Sequence, residues 1–227
     1  LLKSSNQLAK EKGKCEYFNR TKYSMGILPI DTYKDEVDEI VPNKLNYDWN
    51  SLRSSILEHG LRHSTLSAQM PSESSSIVSN ATNGIEPPRA YLSVKKSKKG
   101  PLKQIVPGYP HLKTKYTLLW DMPSNEGYIK VVAVMQKFFD QGISGNWSYN
   151  PENYEDNEVP MDVMMLDLLT TYKYGWKTSY YHNTYDAKKD IEDPIVPQGV
   201  VVPMNSPALD DLLNSLELEE DCDSCKV

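Results

Sequence analysis

The chain has 227 residues, 39% of them hydrophobic and 25% charged, with a formal net charge of −6; this is the composition of an ordinary globular protein, long enough for one large domain or two small ones. The acidic balance argues against broad nucleic-acid binding, which needs concentrated Lys and Arg to neutralise phosphate. No apolar run approaches the ~20 residues of a membrane helix, and the opening Leu1-Leu2-Lys3-Ser4-Ser5 is no cleavable leader, so a cytoplasmic chain without membrane association is expected.

Residues 1–12 read as a helix closed by Gly13, and 48–58 as another whose Trp49, Leu52, Ile56 and Leu57 share a face before Gly60. The stretch between them, punctuated by Gly26, Pro29 and Pro42, reads as irregular. Residues 61–69 read as a strand broken by Met70-Pro71, and 74–82 as a short helix ending at Asn83-Gly84. Short extended runs at 91–94 and 104–106 flank Lys95, Lys96, Lys98 and Lys99, which read as a solvated hairpin tip. Helices are expected over 109–120, 127–139 and 161–174, and strands over 143–149 and 177–183. Alternating helices and strands favour an α/β fold. Beyond about Asp190 the sequence turns to Pro, Asp, Glu and Val with little period, which divides the chain into a folded domain at 1–190 and a flexible tail at 191–227. The first residue is not Met and falls inside a helical pattern. A piece of a longer chain, a processed chain or one product of a split gene is therefore expected.

Four sets of residues carry chemistry. Pro71, Ser72, Glu73, Ser74, Ser75 and Ser76 stand between a strand and a helix start. Hydroxyls there suit an anion, because backbone N–H groups point outward and the helix dipole is positive; serine used simply as a helix cap is the competing reading. The run Asn80 to Arg89 contains Asn83-Gly84 and Pro87-Pro88 and reads as a tightly built loop. Tyr180 and Tyr181 are two of 15 tyrosines. Successive strand residues point to opposite faces, so two rings on one path would need an irregular backbone.

The fourth set is the tail. Of three cysteines, Cys15 stands alone and Cys222 and Cys225 sit together near the end; this is neither a disulfide framework nor a zinc quartet, and no metal site is expected. Exposed thiols are usually avoided, so the Cys-x-x-Cys pair reads as redox-active, although the carboxylates of Glu219, Glu220, Asp221 and Asp223 should raise its thiolate pKa values. From Asp190 to Cys222 a flexible chain spans roughly 30 Å on average and on the order of 100 Å when extended. It can enter a neighbouring site and swing out again. Within it, Leu209, Leu212, Leu213 and Leu216 share one side of a possible short helix suited to docking or spacing.

Together these pieces resemble the C-terminal region of class I ribonucleotide reductase large (alpha) subunits. The resemblance lies in Gly26-Ile27-Leu28-Pro29-Ile30-Asp31-Thr32-Tyr33, Tyr47-Asp48-Trp49, His59-Gly60-Leu61-Arg62, Ser64-Thr65-Leu66-Ser67-Ala68, Met70-Pro71-Ser72-Glu73, Ser79 through Arg89, Val134-Met135-Gln136-Lys137-Phe138, Val159-Pro160-Met161, Asp167-Leu168-Leu169 and Tyr180-Tyr181. It runs in order over residues 1–190 and implies the second half of an α/β barrel, with a C-terminal subdomain and flexible tail.

It also implies roles. Pro71, Ser72, Glu73, Ser74 and Ser75 would hold the diphosphate of a ribonucleoside diphosphate, with Glu73 giving its N–H. Tyr180 and Tyr181, stacked in the family, would be the large-subunit end of the radical path that runs from the small subunit to the active-site cysteine. Cys222 and Cys225 would reduce the active-site disulfide and be re-reduced by thioredoxin or glutaredoxin. Helix 161–174 lies where the C-terminal peptide of the small (beta) subunit docks, or is an ordinary core helix. No cofactor would sit in this chain; the radical would come from that metal-containing small subunit. The thiyl-forming cysteine, the redox pair and the allosteric sites belong upstream, so Cys15 is expected to be structural and an N-terminal part of the large subunit is required for activity. The competing readings are a non-catalytic fragment that binds nucleotide, small subunit or thioredoxin, and a simple dithiol carrier.

Overall fold

The first helix, α1 (Leu2–Lys12), ends at Gly13, where φ is 80°. Its Asn6 is buried and clasps the second helix: Nδ2 donates to the carbonyls of Ser55 (3.0 Å) and Gly60 (2.9 Å), and Oδ1 accepts from Ser55 Oγ (2.7 Å). That second helix, α2 (Trp49–His59), begins at Asp48, whose carboxylate accepts the Ser51 N–H at 3.0 Å as an N-cap. The irregular stretch between them folds as four 3-10 turns, at Phe18–Arg20, Lys22–Met25, Pro29–Asp31 and Asp35–Glu39. Short apolar spacing explains this: Phe18, Tyr23 and Leu28 join Leu52, Ile56 and Leu61 in one buried cluster. Arg53 pins the stretch from α2, donating to both Asp31 oxygens at 2.5 and 2.9 Å and to the Gly26 carbonyl.

This computed structural model describes residues 1–42, 44–97 and 100–185, without the side chains of 73, 74, 94–97 and 100–102. The tail 191–227, with Cys222, Cys225 and the segment Leu209 to Leu216, lies outside the described residues. The chain divides into two compact units. The first comprises Leu1–Met70, Ser124–Trp147 and Pro160–Tyr181; the second comprises Pro71–Pro123, Ser148–Val159 and the described residues from His182.

In the second unit α3 spans Glu73–Ser79, and strands β1 (Leu92–Ser97) and β2 (Gly100–Ile105) form an antiparallel hairpin with Leu92 opposite Ile105 and Ser97 opposite Gly100. The helix expected over 109–120 is cut short. Only Tyr109–Leu112 (α4) is α-helical, followed by 3-10 turns at Lys113–Lys115 and Leu119–Asp121. The apolar spacing there is helical, but the Leu119 N–H bonds the Pro88 carbonyl at 2.9 Å instead of a carbonyl four residues back.

In the first unit α5 (Glu126–Gln136) packs against α6 (Met161–Tyr174). The expected helix end at 139 recedes to 136 because the Phe138 and Phe139 N–H groups curl back to the carbonyls of Met135 and Gln136. Strands β3 (Ser144–Tyr149) and β4 (Thr178–Thr184) pair in a second two-stranded sheet with α6 between them in sequence, the order of a β-α-β unit. Ile129, Val132, Ile143 and Trp176 are buried, each large apolar side chain contributing about 1.5–3 kcal/mol.

The strand expected over 61–69 is not one. Its N–H groups go to side chains rather than to a neighbouring strand: His63 to Ser5 Oγ (3.2 Å), Leu66 and Ser67 to the Asp140 carboxylate (2.8 Å each). Among the described residues Gln69 alone of this segment forms a β-bridge, an isolated parallel one to Ile143, while the Arg62 N–H donates to the Ser5 carbonyl at 3.1 Å. The architecture is mixed helix and strand, with both described sheets two-stranded and no closed barrel among the described residues.

Candidate functional site

The segment 71–75 lies just before and at the start of α3. Ser72 occupies the N-cap position with φ −121° and ψ 56°, yet its hydroxyl does not cap the helix. Its backbone is tied instead: the N–H donates to the Asn83 carbonyl at 2.7 Å, and its own carbonyl accepts the Ser76 N–H at 2.8 Å and the Ser75 hydroxyl at 3.3 Å. The first-turn N–H groups of Glu73, Ser74 and Ser75 head a helix, where no intrahelical acceptor exists for them. Pro71 has no N–H to offer, so its part is to fix the chain.

The helix runs Glu73–Ser79, not 74–82, because Asn80 turns left-handed at φ 50° and Ala81 closes onto the Ser76 carbonyl at 2.9 Å; Asn tolerates this backbone better than most residues. With seven residues the helix carries only a short dipole. Gln104 of β2 braces the return, donating to the Ala81 carbonyl at 2.9 Å. Ser72, Asn83 and Gln104 thus close 71–84 into a loop of fixed shape. The side chains of Glu73 and Ser74 are outside the description.

Tyr180 and Tyr181 both lie in β4. Their ring centroids are 4.1 Å apart with planes at 58°, so the rings are tilted rather than stacked. Tyr181 Oη donates to Tyr180 Oη at 3.4 Å. The pair lies within the continuous strand β4, although successive residues of a regular strand point to opposite faces. Tyr180 is 55% exposed and Tyr181 half-buried. On β3, Asn146 Oδ1 accepts the Tyr181 N–H at 3.2 Å.

Helix α6 buries two polar residues and exposes much of its apolar surface. Asp167 and Thr171 are buried, and Asn125 Nδ2 donates to Asp167 Oδ2 at 2.8 Å. Met161, Met165, Leu168, Leu169 and Tyr172 form an exposed apolar stripe at i, i+4, i+7, i+8 and i+11. Lys34 sits over the Tyr172 ring at 4.8 Å.

Cys15 is a half-buried free thiol packed against the Phe18–Leu61 cluster, which fits the structural part expected of it. Among the described residues no group of three or more His, Cys, Asp and Glu gathers to hold a metal, and no helix is long and apolar enough to cross a membrane.

Sequence reasoning missed Asp140. Its carboxylate accepts from the N–H groups of Leu66 and Ser67, from Ser67 Oγ (3.0 Å) and from Tyr23 Oη (2.8 Å). Burial opposes the charge, but these donors outweigh it and hold the carboxyl below its ordinary range. Burial and then the Asp140 carboxylate push the Tyr23 phenol above its ordinary value. No local pattern announces such a residue, because its partners lie 73 to 117 positions away.

Comparison with known proteins places the chain among the ribonucleotide reductases. The family model for the ribonucleotide reductase barrel domain matches residues 1–182, and the chain belongs to that family. It is 59% identical over 197 residues to the ribonucleoside-diphosphate reductase 1 subunit alpha of Salmonella typhimurium, covering 87% of this chain and 26% of that protein. The subunit of the same name from Escherichia coli is 58% identical over 197 residues, again 87% and 26%. The Helicobacter pylori ribonucleoside-diphosphate reductase subunit alpha is 33% identical over 183 residues, 78% and 22%. The chain spans about a quarter of the length of the curated relatives it matches.

Proposed function

We propose that this chain is the C-terminal part of a ribonucleoside-diphosphate reductase large subunit, contributing the second half of the barrel. It would supply three parts to the conversion of ribonucleoside diphosphates to deoxyribonucleoside diphosphates: a phosphate loop, a radical relay and a returning dithiol. The tyrosine pair carries the reading. In a chain of this family, two phenol oxygens 3.4 Å apart on one strand suit hydrogen-atom transfer from one phenol to the oxyl radical of its neighbour. The first phenol then holds the radical and the second is restored.

In this reading the radical enters from a metal-containing small subunit whose terminal peptide docks on the apolar stripe of α6. Loop 71–75 holds the diphosphate through the N–H groups of Glu73, Ser74 and Ser75 and the hydroxyls of Ser72, Ser74 and Ser75. The Ser72 N–H, bound to Asn83, shapes the loop instead. The Glu73 carboxylate would repel the substrate, so the backbone is its useful part. After each turnover Cys222 and Cys225 exchange with the active-site disulfide contributed by the upstream part, and thioredoxin or glutaredoxin restores them in the cytoplasm.

The test is complementation. Combining this chain with the upstream part and a small subunit should restore deoxyribonucleotide formation. Tyr180→Phe and Tyr181→Phe should each abolish it while leaving substrate binding intact. Folded, associated parts that show no turnover would overturn the proposal. A second reading, a non-catalytic fragment that sequesters the small subunit, is favoured by the exposed stripe of α6 alone; small-subunit affinity without any complementation would select it.

A further inference from the structure

We infer that Asn146 is a positioning residue for the tyrosine pair, its side-chain amide oxygen holding the Tyr181 backbone so that the two phenols stay within transfer distance. The inference rests on the radical-relay reading of Tyr180 and Tyr181. Neighbouring strand residues leave the backbone on opposite faces, so the meeting of these two phenols is not a default of β4 and must be held.

The margin is small. An O–H···O contact is usually 2.7–2.8 Å, and this one is 3.4 Å. The phenol oxygen sits roughly 6 Å beyond its Cα, so a backbone tilt of about 5° moves it by ~0.5 Å. Misplacements of ~1 Å can cost about 10²-fold in rate.

What fixes β4 here is β3. Asn146 Oδ1 accepts the Tyr181 N–H at 3.2 Å, which supplies a side-chain tie at the tyrosine itself. The strand carrying Asn146 is seated firmly. A Cβ on Gly145 would lie 2.1 Å from Tyr128 Oη and 2.9 Å from Trp176 Cζ2, so β3 lies directly on that aromatic layer. Trp176 Nε1 in turn donates to the Ile143 carbonyl at 2.6 Å. One turn of chain earlier, a Cβ on Gly142 would meet Thr178 Oγ1 at 2.0 Å, so the start of β4 presses equally close. Asn146 therefore projects from a strand with little freedom and transfers that rigidity to Tyr181.

The experiment uses the full-length subunit with its radical-supplying partner. Asn146→Ala should lower kcat about tenfold with KM for the ribonucleoside diphosphate unchanged. It should also raise amide hydrogen exchange at Tyr181 and enlarge the solvent deuterium effect on kcat, as transfer between the phenols becomes limiting. Asn146→Asp keeps an acceptor of the same reach and should recover most of the rate. An unchanged kcat in Asn146→Ala overturns the inference. A parallel loss of kcat and substrate affinity that Asp does not rescue overturns it too, since that pattern marks a merely structural residue. Full turnover by Tyr180→Phe and Tyr181→Phe would instead remove the relay reading on which it stands.

Discussion

Asp140 shows how one carboxylate can stand in for a strand partner. Leu66 and Ser67 donate to it, and Tyr23 adds a phenol from the first core cluster. Removing it leaves two backbone N–H groups without that acceptor, so Asp140→Ala should cost about 2–3 kcal/mol. Hydrogen exchange at Leu66 and Ser67 should rise at least tenfold. The pH dependence has a definite sign. The folded carboxyl titrates below its ordinary value, and an unfolded aspartate titrates near ~3.9. Its contribution is therefore fully present above about pH 4 and is lost as pH falls through the folded value. Asp140→Asn should flatten the acid limb of the stability profile, read as unfolding midpoints between about pH 5 and 3. Gly145 acts by close approach, not by backbone conformation. Gly145→Ala must displace Tyr128 Oη or Trp176, and overpacking of this kind costs about 1–3 kcal/mol. A Gly145→Ala subunit with an unaltered unfolding midpoint would contradict that packing.

Among the elements, those with strong periodic patterns were legible in the sequence. Helices α1, α2, α5 and α6, strands β3 and β4 and the β1–β2 hairpin all lie within a few residues of where spacing put them. Two segments failed for one physical reason. Residues 61–69 and 109–120 have suitable apolar spacing, but distant groups take their backbone hydrogen bonds: Ser5 and Asp140 in the first case, Pro88 in the second. The loop at Pro71 and the tyrosine pair could be singled out because each is a run of neighbouring residues that resembles a family motif. Asp140 and Asn146 were not, since a lone Asp or Asn gains meaning only from a partner brought close by folding. Helix α6 lies between these cases: its spacing identified a helix, but not that Asp167 and Thr171 face inward while Met165, Leu169 and Tyr172 face out. If that stripe receives the small subunit, Leu169→Glu combined with Tyr172→Glu should weaken subunit association more than tenfold. Substitutions at exposed positions usually change stability by less than ~0.5 kcal/mol, so folding should be nearly unaffected. Asp167→Ala should do the reverse, costing about 1–3 kcal/mol through loss of the carboxylate that Asn125 donates to. Equal association by wild type and the double variant in a surface-binding assay would remove α6 from the interface.

For the molecule as a whole, the question is why a dithiol should stand in an acidic segment near the end of the sequence, some 40 residues beyond the tyrosine pair. Carboxylates beside a thiol disfavour its thiolate, and a thiol kept neutral is a poor nucleophile. A tether compensates for weak intrinsic reactivity, because a short flexible linker gives an effective concentration on the order of millimolar. If Cys222 and Cys225 serve a disulfide elsewhere in the same subunit, Cys222→Ser and Cys225→Ser should each collapse thioredoxin-driven turnover. A single turnover from the pre-reduced enzyme should survive, since the chemistry of that cycle precedes the need for the tail. A small dithiol that reaches the active-site disulfide directly should restore steady turnover to both variants. A detached peptide of residues 191–227 distinguishes tether from carrier. At about micromolar concentration it falls roughly a thousandfold below the tethered value, so it should restore less than about 1% of the lost rate. Full restoration by that peptide would make the dithiol an independent carrier, and its position in this chain would no longer bear on the reductase reaction.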